Sequence, residues 1–177
     1  METNQYINNQ VFLDALIKYK HDVEDSIKSG TSKPKIPDFI GECFLKIATN
    51  LSKRPNFCMY TYKDEMVCDA IENCLQYFEN FDPDKSTNPF GYFTKICWWA
   101  FVRRIAKEKK QQYIKYKATE NFGTLDEEEL RELGDGQIEQ IQIYDNLYEF
   151  IETYESTIKE KKENIKKKKG IENFLAD

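Results

Sequence analysis

The sequence predicts an all-α protein: a compact helical bundle followed by an extra C-terminal helix and a flexible tail. Two observations carry that prediction. Apolar residues recur at three- and four-residue steps through several separate segments, the spacing of one face of a helix. Between the segments stand Gly30, Pro34 and Pro37, then Pro55, then Pro83 and Pro89, residues that stop helices or begin them. The expected organisation is an N-terminal helix and linker at 1–37, a compact domain at 38–117, an acidic segment with an amphipathic helix at 118–158, and a basic linker with a terminal tail at 159–177.

The first helix is expected from about Asn9 to Ser29, with Phe12, Leu13, Leu16, Ile17, Val23 and Ile27 on its packing face. His21, the single histidine, lies among charges with no Cys or second His near it in sequence, so no catalytic or ligand role is assigned to it. GTSKPKIP at 30–37 is a linker. Asp38 is a candidate N-cap for the second helix, whose face is Phe39, Ile40, Cys43, Phe44, Ile47, Ala48 and Leu51. Pro55 biases Arg54 away from helix, and the aromatic loop from Asn56 to Tyr62 is expected to be held down by its rings. Lys53 and Arg54 read either as phosphate contacts or as a solvated basic pair.

The third helix, about Lys63 to Phe81, has two faces. Met66, Val67, Ala70, Ile71, Cys74, Leu75 and Phe78 form the apolar side; Glu65, Asp69, Glu72, Asn73 and Gln76 recur on the other. One row of carboxylates on one helix does not converge on a metal and has no histidine beside it, so the acidic side reads as a protein-docking face or as solvated surface. DPDKSTNP is turn chemistry, lacking the Gly and the remaining ligands of a calcium loop. Asn88 or the Ser86–Thr87 pair can cap the fourth helix, with Pro89 in its first turn. Beyond Lys117, Ile141, Tyr144, Leu147, Tyr148, Ile151 and Tyr154 mark an amphipathic helix over 138–158, and KEKKENIKKKKG reads as a disordered or frayed basic linker.

The composition narrows the class. No run approaches the roughly 20 apolar residues of a membrane span, and METNQYINNQ lacks the basic and apolar regions of a signal peptide, so a soluble intracellular protein is expected, with no membrane partner. Five cysteines without a CxxC pair read as reduced, small core residues. No cofactor and no metal are expected. A net charge of -5 hides a segregation: Lys85 to Lys117 holds nine Lys or Arg against one Glu, whereas Glu120 to Glu155 holds twelve Asp or Glu against Arg131. A local basic stripe, not the mean charge, sets the field at a contact surface.

That stripe coincides with the stretch NPFGYFTKICWWAFVRRIAKEKK, which places six aromatics within the twelve residues from Phe90 to Phe101 and then Arg103, Arg104, Lys107, Lys109 and Lys110. Rings stack on unpaired bases and cations sit on phosphates, so this pattern suits DNA that is being opened. A buried helix with a solvated end is the competing reading. Trp98 and Trp99 point about 100 degrees apart on a helix, so both are hard to bury against one neighbour.

The succession FLKIATNLSKR, DEMVCDAIENCLQYFENFD and NPFGYFTKICWWAFVRRIAKEKK resembles the second conserved region of bacterial sigma factors. It is more similar still to the short sigma-like late-transcription factors of T-even-like tailed phages, over roughly Asp38 to Lys117. The resemblance implies that 38–117 is a sigma-region-2-like domain. Its acidic face (Glu65, Asp69, Glu72, Asn73, Gln76) would dock on the clamp helices of the largest subunit of the host core RNA polymerase. Its ring-rich helix (Phe90, Tyr92, Lys95, Trp98, Trp99, Arg103, Arg104, Lys107, Lys110) would recognise a TATA-like minus-ten element in promoter DNA and hold the melted strand. Lys95 stands where primary sigma factors carry a base-stacking Tyr. The terminal IENFLAD, with Ile171, Phe174 and Leu175, is similar to the acidic-hydrophobic tail by which phage late factors bind the sliding clamp. The resemblance leaves room for a separate late co-activator and implies the cytoplasm of an infected bacterium as the location.

The function expected is therefore a non-enzymatic late-promoter specificity factor. The alternative is a non-sigma DNA-binding regulator or inhibitor that binds RNA polymerase. A nuclease would need converging carboxylates or histidines, and the sequence offers none.

Overall fold

The computed structural model describes the backbone of residues 7–121 and 137–174 and the side chains of 7–119 and 146–165. Among these residues there is no strand, and the protein is all-α. The described helices are α1 (Asn9–Ser29), α2 (Asp38–Ser52), α3 (Lys63–Tyr77), α4 (Pro89–Asn121) and α5 (Gln137–Phe174), with a 3-10 turn at Phe78–Asn80. Two compact units divide the chain, Met1–Ala106 and Lys107–Asp177. α1 falls in the first unit, and its apolar face packs in that unit's core.

α1 begins where the Asn8 side chain accepts the N–H groups of Gln10 (3.0 Å) and Val11 (3.4 Å). It ends at Gly30, whose φ of 67° is open to glycine at no steric cost. Phe12, Leu13 and Leu16 are buried as their spacing predicts, but Ile27 is 73% exposed, whereas Tyr19, not expected on the packing face, is buried. The reason is the linker: Tyr19 is buried with its hydroxyl donating to the Pro34 carbonyl at 3.0 Å, and the core against α1 ends before Ile27.

The α2 face is buried from Ile40 to Leu51, with Phe39 left partly out. Asp38 does not cap this helix. The Pro37 carbonyl closes the first turn by accepting from Ile40 and Gly41, and the Asp38 carboxylate instead lies in the first turn, 3.7 Å from Lys35, where an acid suits the helix dipole. In the following loop Phe57 is buried edge-on to Trp98 (4.9 Å) and Phe101 (5.0 Å), so rings hold the loop down.

α3 buries Met66, Ala70 and Cys74, then tightens to a 3-10 turn that aims Phe78 at Tyr19, ring centroids 5.4 Å apart. Helix therefore stops short of the expected Phe81, which is itself buried. Of the five cysteines Cys43, Cys74 and Cys97 are core residues, whereas Cys68 is exposed on the outer face of α3 and Cys58 is half-buried in the loop. Cys74 and Cys97 meet across the α3–α4 seam at 3.5 Å, and that hydrogen bond together with burial pushes the Cys74 thiol up, away from the reactive thiolate.

The start of α4 is closed by two asparagines. Asn88 Oδ1 accepts the Gly91 N–H at 3.0 Å and Asn9, from α1, accepts the Phe90 N–H at 3.2 Å; Pro89 has no N–H to satisfy. Gly91 permits this, since a Cβ there would lie 2.8 Å from Asn88 Nδ2. Within α4, Phe93 sits at the centre of the first unit's core, its ring 5.6 Å from Phe12, 4.7 Å from Phe44 and 5.9 Å from Phe81.

In the second unit the end of α4 pairs with α5 through rings. Tyr113 stacks on Tyr154 (4.6 Å) and Tyr116 meets Phe150 edge-on (5.3 Å), over a small core of Leu147 and Ile151. Tyr113 donates its hydroxyl to Glu155 at 2.9 Å, and Lys117 lies 3.5 Å from the same carboxylate; these contacts hold the Glu155 carboxyl below its usual range. The basic run 159–170, expected as a linker, continues α5 as helix to Phe174. Lys and Glu are strong helix formers and no Gly or Pro interrupts them before Gly170. The side chains of Ile141, Tyr144, Ile171 and Phe174, and the whole of Leu175, lie outside the described residues.

Candidate nucleic-acid interface

α4 turns about 100 degrees per residue, and this rotation separates rings that look alike in sequence. Phe93 and Phe101 are fully buried, and Cys97 and Ala100 complete that inward face. Trp98 is half-buried, its indole edge-on to Phe57. Trp99 points the other way and is 52% exposed. Tyr92 is half-buried against Phe81 at 5.2 Å, and Lys95 is exposed and makes no ion pair among the described residues. Of the sequence-predicted rings, Trp99 and Phe90 face outward, Tyr92 and Trp98 only in part.

The cations divide as sharply. Arg104 grips Asp69 of α3 with both branches of its guanidinium: Nε donates to one carboxylate oxygen at 2.6 Å and Nη2 to the other at 2.7 Å. The two side chains are 18% and 30% exposed, and a fork of this geometry combines charge with directionality. Arg103 Nη2 donates to Asn73 Oδ1 at 2.7 Å, while Asn73 Nδ2 donates to the Asp69 carbonyl at 2.6 Å. So two residues expected on a docking face and two expected on DNA form one network across the α3–α4 seam. Glu65, Glu72 and Gln76 are exposed and make no ion pair or hydrogen bond among the described residues. Lys107 and Lys110 are exposed in the second unit.

Between the helices runs a groove of about 390 Å³, lined by Asn73, Tyr77, Tyr92, Lys95, Trp99 and Arg103. Tyr77 was not among the residues picked out from sequence. The signal was present: Asp69, Asn73 and Tyr77 follow one another at four-residue steps and so share a face. A larger cavity, about 740 Å³, opens at the start of α4 beside Asn9, Asn50, Arg54, Asn88 and Phe90. The Asn9 and Asn88 side chains there already accept from the α4 backbone, so part of its polar wall is used in capping. Arg54 is exposed at its rim.

Chemically, the α3–α4 groove offers an exposed indole, two phenols and two cationic side chains in one opening. Flat aromatic groups carrying negative charge fit such a surface. Among the described residues no three His, Cys, Asp or Glu side chains are placed to hold a metal ion, and no helix is long and apolar enough to cross a membrane. No protein-family model matches the chain, and no curated protein matches it.

Proposed function

We propose that the chain is a promoter-specificity factor of the sigma type, which binds a bacterial core RNA polymerase, recognises a TATA-like minus-ten element and helps to separate the strands there. The observation that carries this reading is the adjacency of α3 and α4. Exposed carboxylates (Glu65, Glu72) stand on the first, and an exposed indole with cations (Trp99, Lys95, Arg103) stands on the second. A docking surface beside a strand-holding surface is what such a factor requires. Lost stacking costs a few kcal/mol per opened step, and ring stacking at roughly 1–3 kcal/mol per base is of the size to offset it.

The test is transcription from a supercoiled template bearing a TATA-like late promoter, with core polymerase and the purified chain. Initiation is expected. Trp99→Ala should lower open-complex formation by at least about tenfold while core affinity stays unchanged; Glu65→Lys with Glu72→Lys should weaken core binding first. No initiation at any such promoter would move the reading to a non-sigma polymerase-binding regulator, and equal losses in both variants would contradict the division of labour.

The segment 171–175 is proposed, on its sequence alone, as a tether to a sliding clamp, which raises local concentration at clamp-loaded DNA. Deleting 174–177 should remove only the enhancement seen when the clamp is added. A fall in clamp-free initiation would count against the tether.

A further inference from the structure

Tyr77 is the aromatic of the groove that the reading above leaves without a task. Its ring is 43% exposed at the end of α3, and Trp99 on the facing helix is 52% exposed; both line the same opening. Most core rings of the first unit contact another ring, as Phe12, Tyr19, Phe57 and Phe81 do. Tyr77 and Trp99 stack on no ring among the described residues. They are therefore exposed aromatic side chains, one on each wall, in a cleft whose volume falls in the range of about 300–1,000 Å³ typical of small-ligand sites.

The rest of the opening narrows the ligand. Lys95 lies beside Trp99 without an ion pair among the described residues, and the Asn73 amide holds the Arg103 guanidinium at the edge of the groove. Two aromatic walls take a flat π system, and a cation at each end takes a negative charge attached to it. An unpaired nucleotide in a strand has this shape, a flat base flanked by phosphates. A base inside a duplex does not, since its faces are already covered by its neighbours.

We propose that Tyr77 is a strand-holding residue, whose ring stacks from the α3 wall on an unpaired base that Trp99 meets from the α4 wall. The assignment rests on the DNA reading given above and adds to it a second wall. α3 then contributes to the strand site as well as to docking, and the site distinguishes opened from paired DNA by requiring a free base face.

The full-length chain is titrated into a fluorescein-labelled single-stranded 12-mer, and into the same 12-mer annealed to its complement, with anisotropy read at several salt concentrations. Tyr77→Ala should weaken binding to the single strand by about tenfold, within the range of ring-on-base stacking, with duplex binding and the salt slope unchanged because no charge is lost. Tyr77→Phe should bind as the unaltered chain does, since a face and not a hydroxyl is needed. Arg103→Ala should instead flatten the salt slope by about one. Thermal melts of the two Tyr77 variants and of the unaltered chain should coincide, as Tyr77 is a surface residue. The assignment is overturned if Tyr77→Ala binds the strand normally, loses strand and duplex alike, or is matched in weakness by Tyr77→Phe. Should Trp99→Ala and Lys95→Ala weaken strand binding where Tyr77→Ala does not, only the Tyr77 assignment falls. If the chain or every variant shows no dependence on the strand at all, the DNA reading falls with it.

Discussion

Phe93→Ala is expected to destabilise the first unit by about 3–5 kcal/mol, the range for removing a fully buried phenyl ring. Phe93 is 0% exposed and touches the rings of Phe12, Phe44, Phe81 and Tyr92, so it joins three helices and the end of the 3-10 turn at one point. Alanine would leave a cavity that four separate elements cannot all close. Against a total stability of roughly 5–15 kcal/mol for a typical domain, this is a large fraction. Phe90→Ala, three residues earlier on the same helix, should change stability by no more than about 0.5 kcal/mol, because Phe90 is 43% exposed. Urea unfolding followed by tryptophan fluorescence makes the comparison. The only two tryptophans, Trp98 and Trp99, both lie in the first unit, so the signal reports that unit alone. Similar midpoints for Phe90→Ala and Phe93→Ala would refute the orientation of α4 described here.

The contrast between those two phenylalanines shows what sequence alone could and could not deliver. Spacing located α1 to the residue, and punctuation located the start of α4, because caps and periodicity are local and act over one helical turn. It could not orient α4. A segment apolar on nearly every side has almost no moment to read, so which of Trp98 and Trp99 faces outward is decided by the loop that brings Phe57 against Trp98. Tyr19 was missed for a similar reason: its burial depends on the Pro34 carbonyl returning from a linker fifteen residues away. Cys68 was expected inside with the other cysteines, but it falls on the outer side of α3. In the site, the exposed Lys95, Glu65 and Glu72 were legible as faces of single helices, whereas the choice of Trp99 over Trp98 was not. The Arg104–Asp69 pair spans 35 positions, and nothing short of the packed seam sets its register.

Breaking that pair is expected to have the second-largest effect on stability. Asp69→Ala removes both acceptors of the fork from a guanidinium that is only 18% exposed; a loss of about 2 kcal/mol follows from the usual worth of hydrogen bonds to charged groups. Arg104→Lys keeps the charge but not the two-pronged geometry, and should forfeit roughly half of that. The decisive measurement is a double-mutant cycle of Asp69→Ala and Arg104→Ala in urea. A coupling of about 1–2 kcal/mol is expected for partners in direct contact, while less than about 0.3 kcal/mol would class them with exposed surface ion pairs and return Asp69 to the docking face. The first outcome also decides how docking is to be probed. Charge reversal at Asp69 would disturb the seam that holds Asn73, and through it Arg103, so a loss of polymerase binding there would not separate contact from structure. Among the described residues Glu65 and Glu72 carry no such tie. Reversal at those two positions should leave the urea midpoint within about 0.5 kcal/mol of the unaltered protein, which makes them the clean probes of the acidic face and leaves Asp69 and Arg104 as the joint on which both faces are mounted.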